Sequence, residues 1–143
     1  MDVLNCTVNN DNMKIVCNTH ILPPKGYSAI NLCGVIFTRK TKDEVDKLLQ
    51  TERGKRWINH EHIHTLQKRA TLNSWICFYL VYLFYFFKMW PFFTTNWSIA
   101  YSTIPYEYEA YTKQKDFQIT KSDWKSCIYD NQQRLTAYWR TKN

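Results

Sequence analysis

Glycine is scarce in this chain, with three residues in 143, and neither a Walker pattern nor G-x-G-x-x-G occurs. A nucleotide site built from a glycine-rich cradle is therefore excluded, because backbone amides reach phosphates closely only where Cβ atoms are missing. Cysteine is sparse and unpaired in pattern: Cys6, Cys17, Cys33, Cys77 and Cys127 form an odd set with no C-x-x-C. That disfavours a disulfide framework and a cysteine zinc knuckle, and fits reduced thiols in a protein that faces the cytosol. The first residues, "MDVLNCTVNNDNMKIVC", lack a basic start followed by an apolar core, so no signal peptide is expected. Residues 1–12, ahead of Met13, read as a disordered leader. Acidic residues are the minority, 12 against 19 Lys and Arg, for a formal charge of +7. Such a surface suits anionic partners, lipid headgroups or nucleic acid. No internal repeat or low-complexity linker divides the chain, and its length suits one domain, 1–143, around one core.

Local signals place a few elements. "GYSAINLCGVIFTRK" carries β-formers on both sides of Cys33-Gly34, which predicts strands over about 27–32 and 35–39 with a tight turn at Gly34. Thr41 followed by Glu44 is a capping-box pattern, and it opens a helix expected over about 42–52 that ends near Gly54. A second helix is expected from Arg56 or Trp57. It has Ile63, Leu66 and Ala70 on one stripe, His60, His64 and Lys68 on another face, and no break before residue 88.

The run from Trp75 to Phe87 is thirteen apolar or aromatic residues without a charge, and eleven aromatics fall between Trp75 and Phe93. A spanning helix needs roughly 20 apolar residues. The tryptophan and tyrosine content fits a membrane interface better than a bilayer centre. Pro91 is expected to stop or kink this helix, "TTNWS" to form a turn, and a further helix to start at Pro105, where proline suits the first helical position. A last helix ends in the basic "RLTAYWRTKN".

"INHEHIHTLQ", residues 58–67, holds the chemistry. His60 and His64 are four apart on one helix, so both imidazoles can grip one zinc ion. Glu61 lies one step round the helix, where it can act on a water without ligating the metal, as a general base. A catalytic zinc site needs a third protein ligand. "PYEYEAY" offers Glu107, with the small Ala110 one turn on to permit close helix approach, and Glu109 competes for the same role. His62, two residues from each ligand, points off their face and reads as a surface or packing residue.

The order HExxH, aromatic apolar segment, "WPFF" and "EYEA" resembles the membrane-embedded gluzincin metallopeptidases. In layout it is similar to the antirepressor-type peptidases of β-lactam-sensing receptors over about residues 57–115. The whole chain also resembles short bacterial proteins with "INLxGVIF", "NHExIHxxQ" and "FExEAY" segments. The resemblance implies His60, His64 and Glu107 as zinc ligands and Glu61 as general base. Two positions depart from the pattern: Tyr111 stands where an aspartate follows the alanine, and Trp90 where an asparagine precedes the proline. No transition-state donor is placed, although Tyr106, Tyr108 and Tyr111 are near.

These observations predict an α+β, mostly helical, zincin-like domain. A β-hairpin precedes the HExxH helix, and a strand such as Val35 to Phe37 is available for edge addition of a peptide. The expected function is zinc-dependent peptidase or peptidase-like activity at a membrane, with the site on the cytoplasmic side. One alternative is a catalytically inactive zinc scaffold at the membrane. Another is a basic nucleic-acid binder that uses "KQKDFQITKSDWKS" and the C-terminal tail, where cations and aromatics interleave.

Overall fold

The computed structural model describes residues 5–7, 13–25, 27–93 and 97–142. The fold is α+β and mostly helical. The chain forms two compact units, Met1–His62 and Ile63–Asn143, and the boundary between them falls inside one helix.

The first unit is a small sheet with helices attached. Strands β1 (Asn5–Thr7), β2 (Lys14–Val16), β3 (Ala29–Leu32) and β4 (Val35–Thr38) lie in the order β1-β2-β4-β3. β1 and β2 are antiparallel, β2 and β4 parallel, and β3 and β4 form the expected hairpin, with Ile30 opposite Phe37. Its turn has Cys33 and Gly34 both at positive φ, 54° and 83°. That is the geometry whose twist matches a two-residue hairpin. The Asn31 side-chain oxygen accepts from the Gly34 amide at 2.9 Å and locks the corner. Residues 5–7, expected in a disordered leader, instead form the outer strand β1, while 1–4 and 8–12 lie outside the described residues. Val35 to Phe37 is not an edge: β4 is paired on both sides, so peptide addition there is closed. Met13, Ile15, Cys17, Ile36, Val45 and Ile58 make the core of this unit.

Helix α1 (Lys42–Leu49) begins with the capping box read from sequence: the Glu44 amide donates to Thr41 Oγ1 at 3.2 Å, and the Thr41 amide to Glu44 Oε2 at 2.7 Å. It stops earlier than expected, because Thr51 caps a new helix. The Gly54 amide donates to Thr51 Oγ1 at 3.1 Å, and α2 runs Glu52–Ala70. Gly54 is thus a helical residue in the first turn of α2, not a helix terminator. A Cβ on it would lie 1.9 Å from the Leu48 carbonyl oxygen. Glycine is what allows α2 to pack its first turn against the end of α1.

In the second unit the expected unbroken helix from 56 to 88 is corrected. The chain turns at 71–74, with Leu72 and Asn73 in the left-handed region at φ 55° and 50°. Asn73 accepts from Lys68 Nζ at 2.8 Å, and Ser74 caps α3 (Trp75–Phe93) by accepting from the Cys77 amide at 3.4 Å. The apolar period continues across this break, so periodicity alone hid it. α3 carries Pro91 in its last turn and ends two residues later. Of "TTNWS", residues 94–96 lie outside the described residues, and Trp97 opens a short helix α4 (Trp97–Ser102) rather than completing a turn. α5 (Pro105–Lys113) starts at Pro105 as read, and α6 is Cys127–Lys142. Phe78 of α3, Tyr106 of α5 and Trp124 form one aromatic core, with Phe78 and Tyr106 stacked 4.5 Å apart. Met89, Ala100 and Ile104 form a second, aliphatic cluster.

Gly54→Ala should lower stability by about 1–3 kcal/mol or more, the usual cost of forcing extra volume into a packed contact. The Cβ meets backbone, which cannot move aside as a side-chain tip can. Chemical denaturation of the variant beside the parent checks this. An unchanged midpoint would show that the α1–α2 contact is not tight.

Candidate metal centre

On α2, Ile63 and Leu66 are buried on the stripe expected from sequence, while Ala70 at the helix end is exposed. His60, Glu61, His64 and Gln67 are buried as well. So many polar groups inside a fold need partners, because burying them unpaired is costly. His60 and His64 are held one turn apart by the helix itself. α5 supplies Glu107 from its first turn, after Pro105 starts the helix. Ala110, one turn later, is fully buried, as a close helix approach requires. His60, His64 and Glu107 each offer a ligand atom within 4.8 Å of the others. His64 Nε2 and Glu107 Oε1 are 3.6 Å apart. Ligands at about 2.0–2.1 Å from a tetrahedral zinc lie about 3.3 Å from one another. The donor set, its burial and this spacing fit a metal ion.

The orientation of the His64 ring follows from its neighbour. Gln67 Nε2 donates to the Tyr106 carbonyl at 2.8 Å and to Glu109 Oε2 at 3.0 Å, and both are acceptors only. The amide orientation of Gln67 is thereby determined, so its Oε1, 2.8 Å from His64 Nδ1, must accept. His64 therefore donates from Nδ1, and its Nε2 faces Glu107. A hydrogen bond on the far nitrogen is how proteins orient a metal-binding imidazole.

Glu107 is held by two phenols. Tyr82 Oη of α3 and Tyr101 Oη of α4 each donate to Glu107 Oε1 at 2.9 Å. Burial, reinforced by the Glu107 charge, pushes both hydroxyls well above the ordinary tyrosine value, so both remain donors. Neither residue was singled out from sequence. Tyr82 is hidden in an aromatic run, and nothing local marks Tyr101. The nearby tyrosines that were singled out have other places. Tyr106 is in the core with its hydroxyl on Thr71 Oγ1 at 2.7 Å, Tyr108 is half-buried, and Tyr111 is 46% exposed.

Glu109 is not the third ligand of this group; it is a structural carboxylate. It is fully buried. It accepts from Ser122 Oγ at 2.6 Å, the Asp123 amide at 2.6 Å, Gln67 Nε2 at 3.0 Å and Lys113 Nζ at 2.9 Å. Burial alone would raise its pKa, but these bonds outweigh burial and hold it below the ordinary carboxylate value. Glu61 is buried on α2 beside His60, and its carbonyl accepts from Asn31 Nδ2 of β3 at 3.5 Å. His62 is half-buried on the same helix and is not a member of the metal-ligand group.

Zinc titration should reach about one ion per chain, as for a three-ligand site. His60→Ala and Glu107→Ala should abolish tight binding. Glu109→Gln should keep it but lower stability by about 1–3 kcal/mol, through a misfitted buried hydrogen-bond cluster. Full zinc retention in Glu107→Ala, or zinc loss confined to the Glu109 variant, would reverse the assignment.

No family model matches the chain, and neither the curated proteins nor the solved structures contain a match to it, so the reading of this centre rests on its own residues.

Proposed function

We propose that this protein is a zinc-dependent peptidase or peptidase-like hydrolase that works at a membrane surface. The observation that carries the reading is the convergence of His60, His64 and Glu107 at ligand spacing, with Glu61 next to His60 on the same helix. When bound, zinc supplies a Lewis acid and makes water a nucleophile near neutral pH. Glu61 is the residue suited to take the proton of the attacking water and return it to the leaving amine. Gln67 keeps His64 in the ligating tautomer. For an extended peptide, β3 is the strand to consider. Among the described residues it pairs only with β4, and its Asn31 side chain reaches the Glu61 carbonyl. Main-chain pairing along β3 would lay a substrate beside α2.

The membrane part of the proposal rests on α3. No single helix among the described residues is long and apolar enough to cross a membrane. Yet Ile76, Leu80, Leu83, Phe84 and Phe87 are all exposed, at spacings that share one side of α3, and Leu72 at the preceding turn is 84% exposed. Contiguous exposed apolar area of this kind marks an interaction surface. Lys88, next to Phe87, is exposed, as is Arg69 before the turn, and cations near anionic headgroups contribute about 1 kcal/mol each. We propose that this side of α3 rests in the interfacial layer with the helix in the membrane plane.

Glu61→Gln should keep its zinc and lose at least about 10²–10⁴-fold in hydrolysis of any peptide the parent cleaves. Equal rates would remove Glu61 from the chemistry. A zinc-loaded parent that cleaves nothing across a broad peptide library would favour the scaffold alternative.

The protein should float with vesicles that contain phosphatidylserine and much less with neutral ones. Leu80→Ser, Phe84→Ser and Phe87→Ser together should leave it in the dense fraction. Parent protein that stays in the dense fraction with both vesicle types would end the membrane proposal.

A further inference from the structure

We infer that Tyr82 and Tyr101 are positioning residues that aim the Glu107 carboxylate at the metal, and that the affinity of the centre depends on this pair of hydroxyls. The inference rests on the zinc reading of the site and goes further, to the device that makes a third ligand out of a glutamate. A glutamate side chain has three rotatable bonds, and one in the first turn of a helix can find other favourable places, including the helix N-terminus itself. Glu107 is nevertheless kept 3.6 Å from His64 Nε2. The two phenols account for that. Their hydroxyls come from different helices, α3 and α4, and both donate to the same oxygen, Oε1, at 2.9 Å. Two donors fixed in position leave a carboxylate little freedom about its last bond. Hydrogen bonds to a charged acceptor are also the strong kind. The rings themselves are anchored in packing: Tyr82 packs against both clusters of the second unit and lies 6.1 Å from Phe78, and Tyr101 packs against the Met89, Ala100 and Ile104 cluster. The hydroxyl positions are therefore set by the core rather than by the metal, and the carboxylate is aimed before an ion arrives.

Tyr111, which follows Ala110, is exposed. Support comes instead for His64 from Gln67 and for Glu107 from Tyr82 and Tyr101. Partners of this kind typically change metal affinity 10–100-fold when removed.

The test is chelator-competition measurement of zinc affinity in the full chain, for the parent, Tyr82→Phe, Tyr101→Phe and the double variant. The visible absorption of the cobalt(II)-substituted forms is recorded alongside. Phenylalanine keeps the ring packing and removes only the hydroxyl. Each single change should weaken zinc about 10-fold and the double change about 100-fold, within the range for such partners. The cobalt band pattern of the double variant should change, as the carboxylate shifts in the ligand field. Tyr106→Phe, which removes a hydroxyl bound to Thr71 instead, should leave both readouts unchanged. Parent-like affinity and an unchanged cobalt spectrum in the double variant would overturn the positioning role while leaving the zinc centre in place. A parent chain that takes up no zinc would overturn the centre itself and this inference with it.

Discussion

The side-chain amide of Gln67 is the point on which the second unit turns. Its nitrogen has two acceptors, a main-chain carbonyl of α5 and the Glu109 carboxylate, and its oxygen accepts a hydrogen bond from His64 Nδ1. None of the three can be exchanged without leaving a buried polar group unpaired, which costs far more than an average hydrogen bond contributes. One residue thus joins α2 to α5, chooses the tautomer of a candidate ligand, and places Glu107, two residues before Glu109, on the neighbouring turn. Glu109 extends the constraint to Ser122 and Asp123, so the chain after α5 is tied to the same cluster. Buried polar networks of this type hold a unique arrangement only when every member is satisfied. Here four donors share the two oxygens of Glu109.

The two carboxylates of α5 illustrate how environment divides identical chemistry. Glu107 and Glu109 are both buried and two residues apart. Glu109 meets a lysine, a serine, an amide donor and a main-chain N–H, a set that consumes its lone pairs and leaves it no part in metal binding. Glu107 meets two phenols and two histidines, a set compatible with a carboxylate that also serves a cation. The distinction is one of position on the helix. A two-residue step turns a side chain by about 200° on a 3.6-residue helix, from one neighbour set to another.

α3 has two jobs. One side carries Phe78, Tyr82 and Met89 into the cores of the second unit, and Tyr82 into contact with Glu107. The other side carries Ile76, Leu80, Phe84 and Phe87 to the surface. A helix that is apolar all round needs burial on every side. Among the described residues of α3, only one side carries buried residues, Phe78 and Met89.

The chain by itself determined the features that depend on neighbours a few residues away. The Thr41–Glu44 capping box, the β3–β4 hairpin at Cys33-Gly34, the start of α5 at Pro105 and the one-turn spacing of His60 and His64 were all legible, because each is a local relation between backbone and side chain. The choice of Glu107 was also reachable, through the small residue at Ala110. What needed the tertiary structure was everything decided by distant partners. Gly54 reads as a helix terminator until the Leu48 carbonyl is seen against it. The apolar period runs straight through 71–74, where Asn73 and Ser74 turn the chain. Glu109 and Glu107 are near-equivalent as letters, and only Gln67, Ser122, Asp123 and Lys113 on one side, and Tyr82 and Tyr101 on the other, separate them. Those partners come from as far as 42 residues away in the chain, a distance over which no sequence period carries information about which side chains will meet.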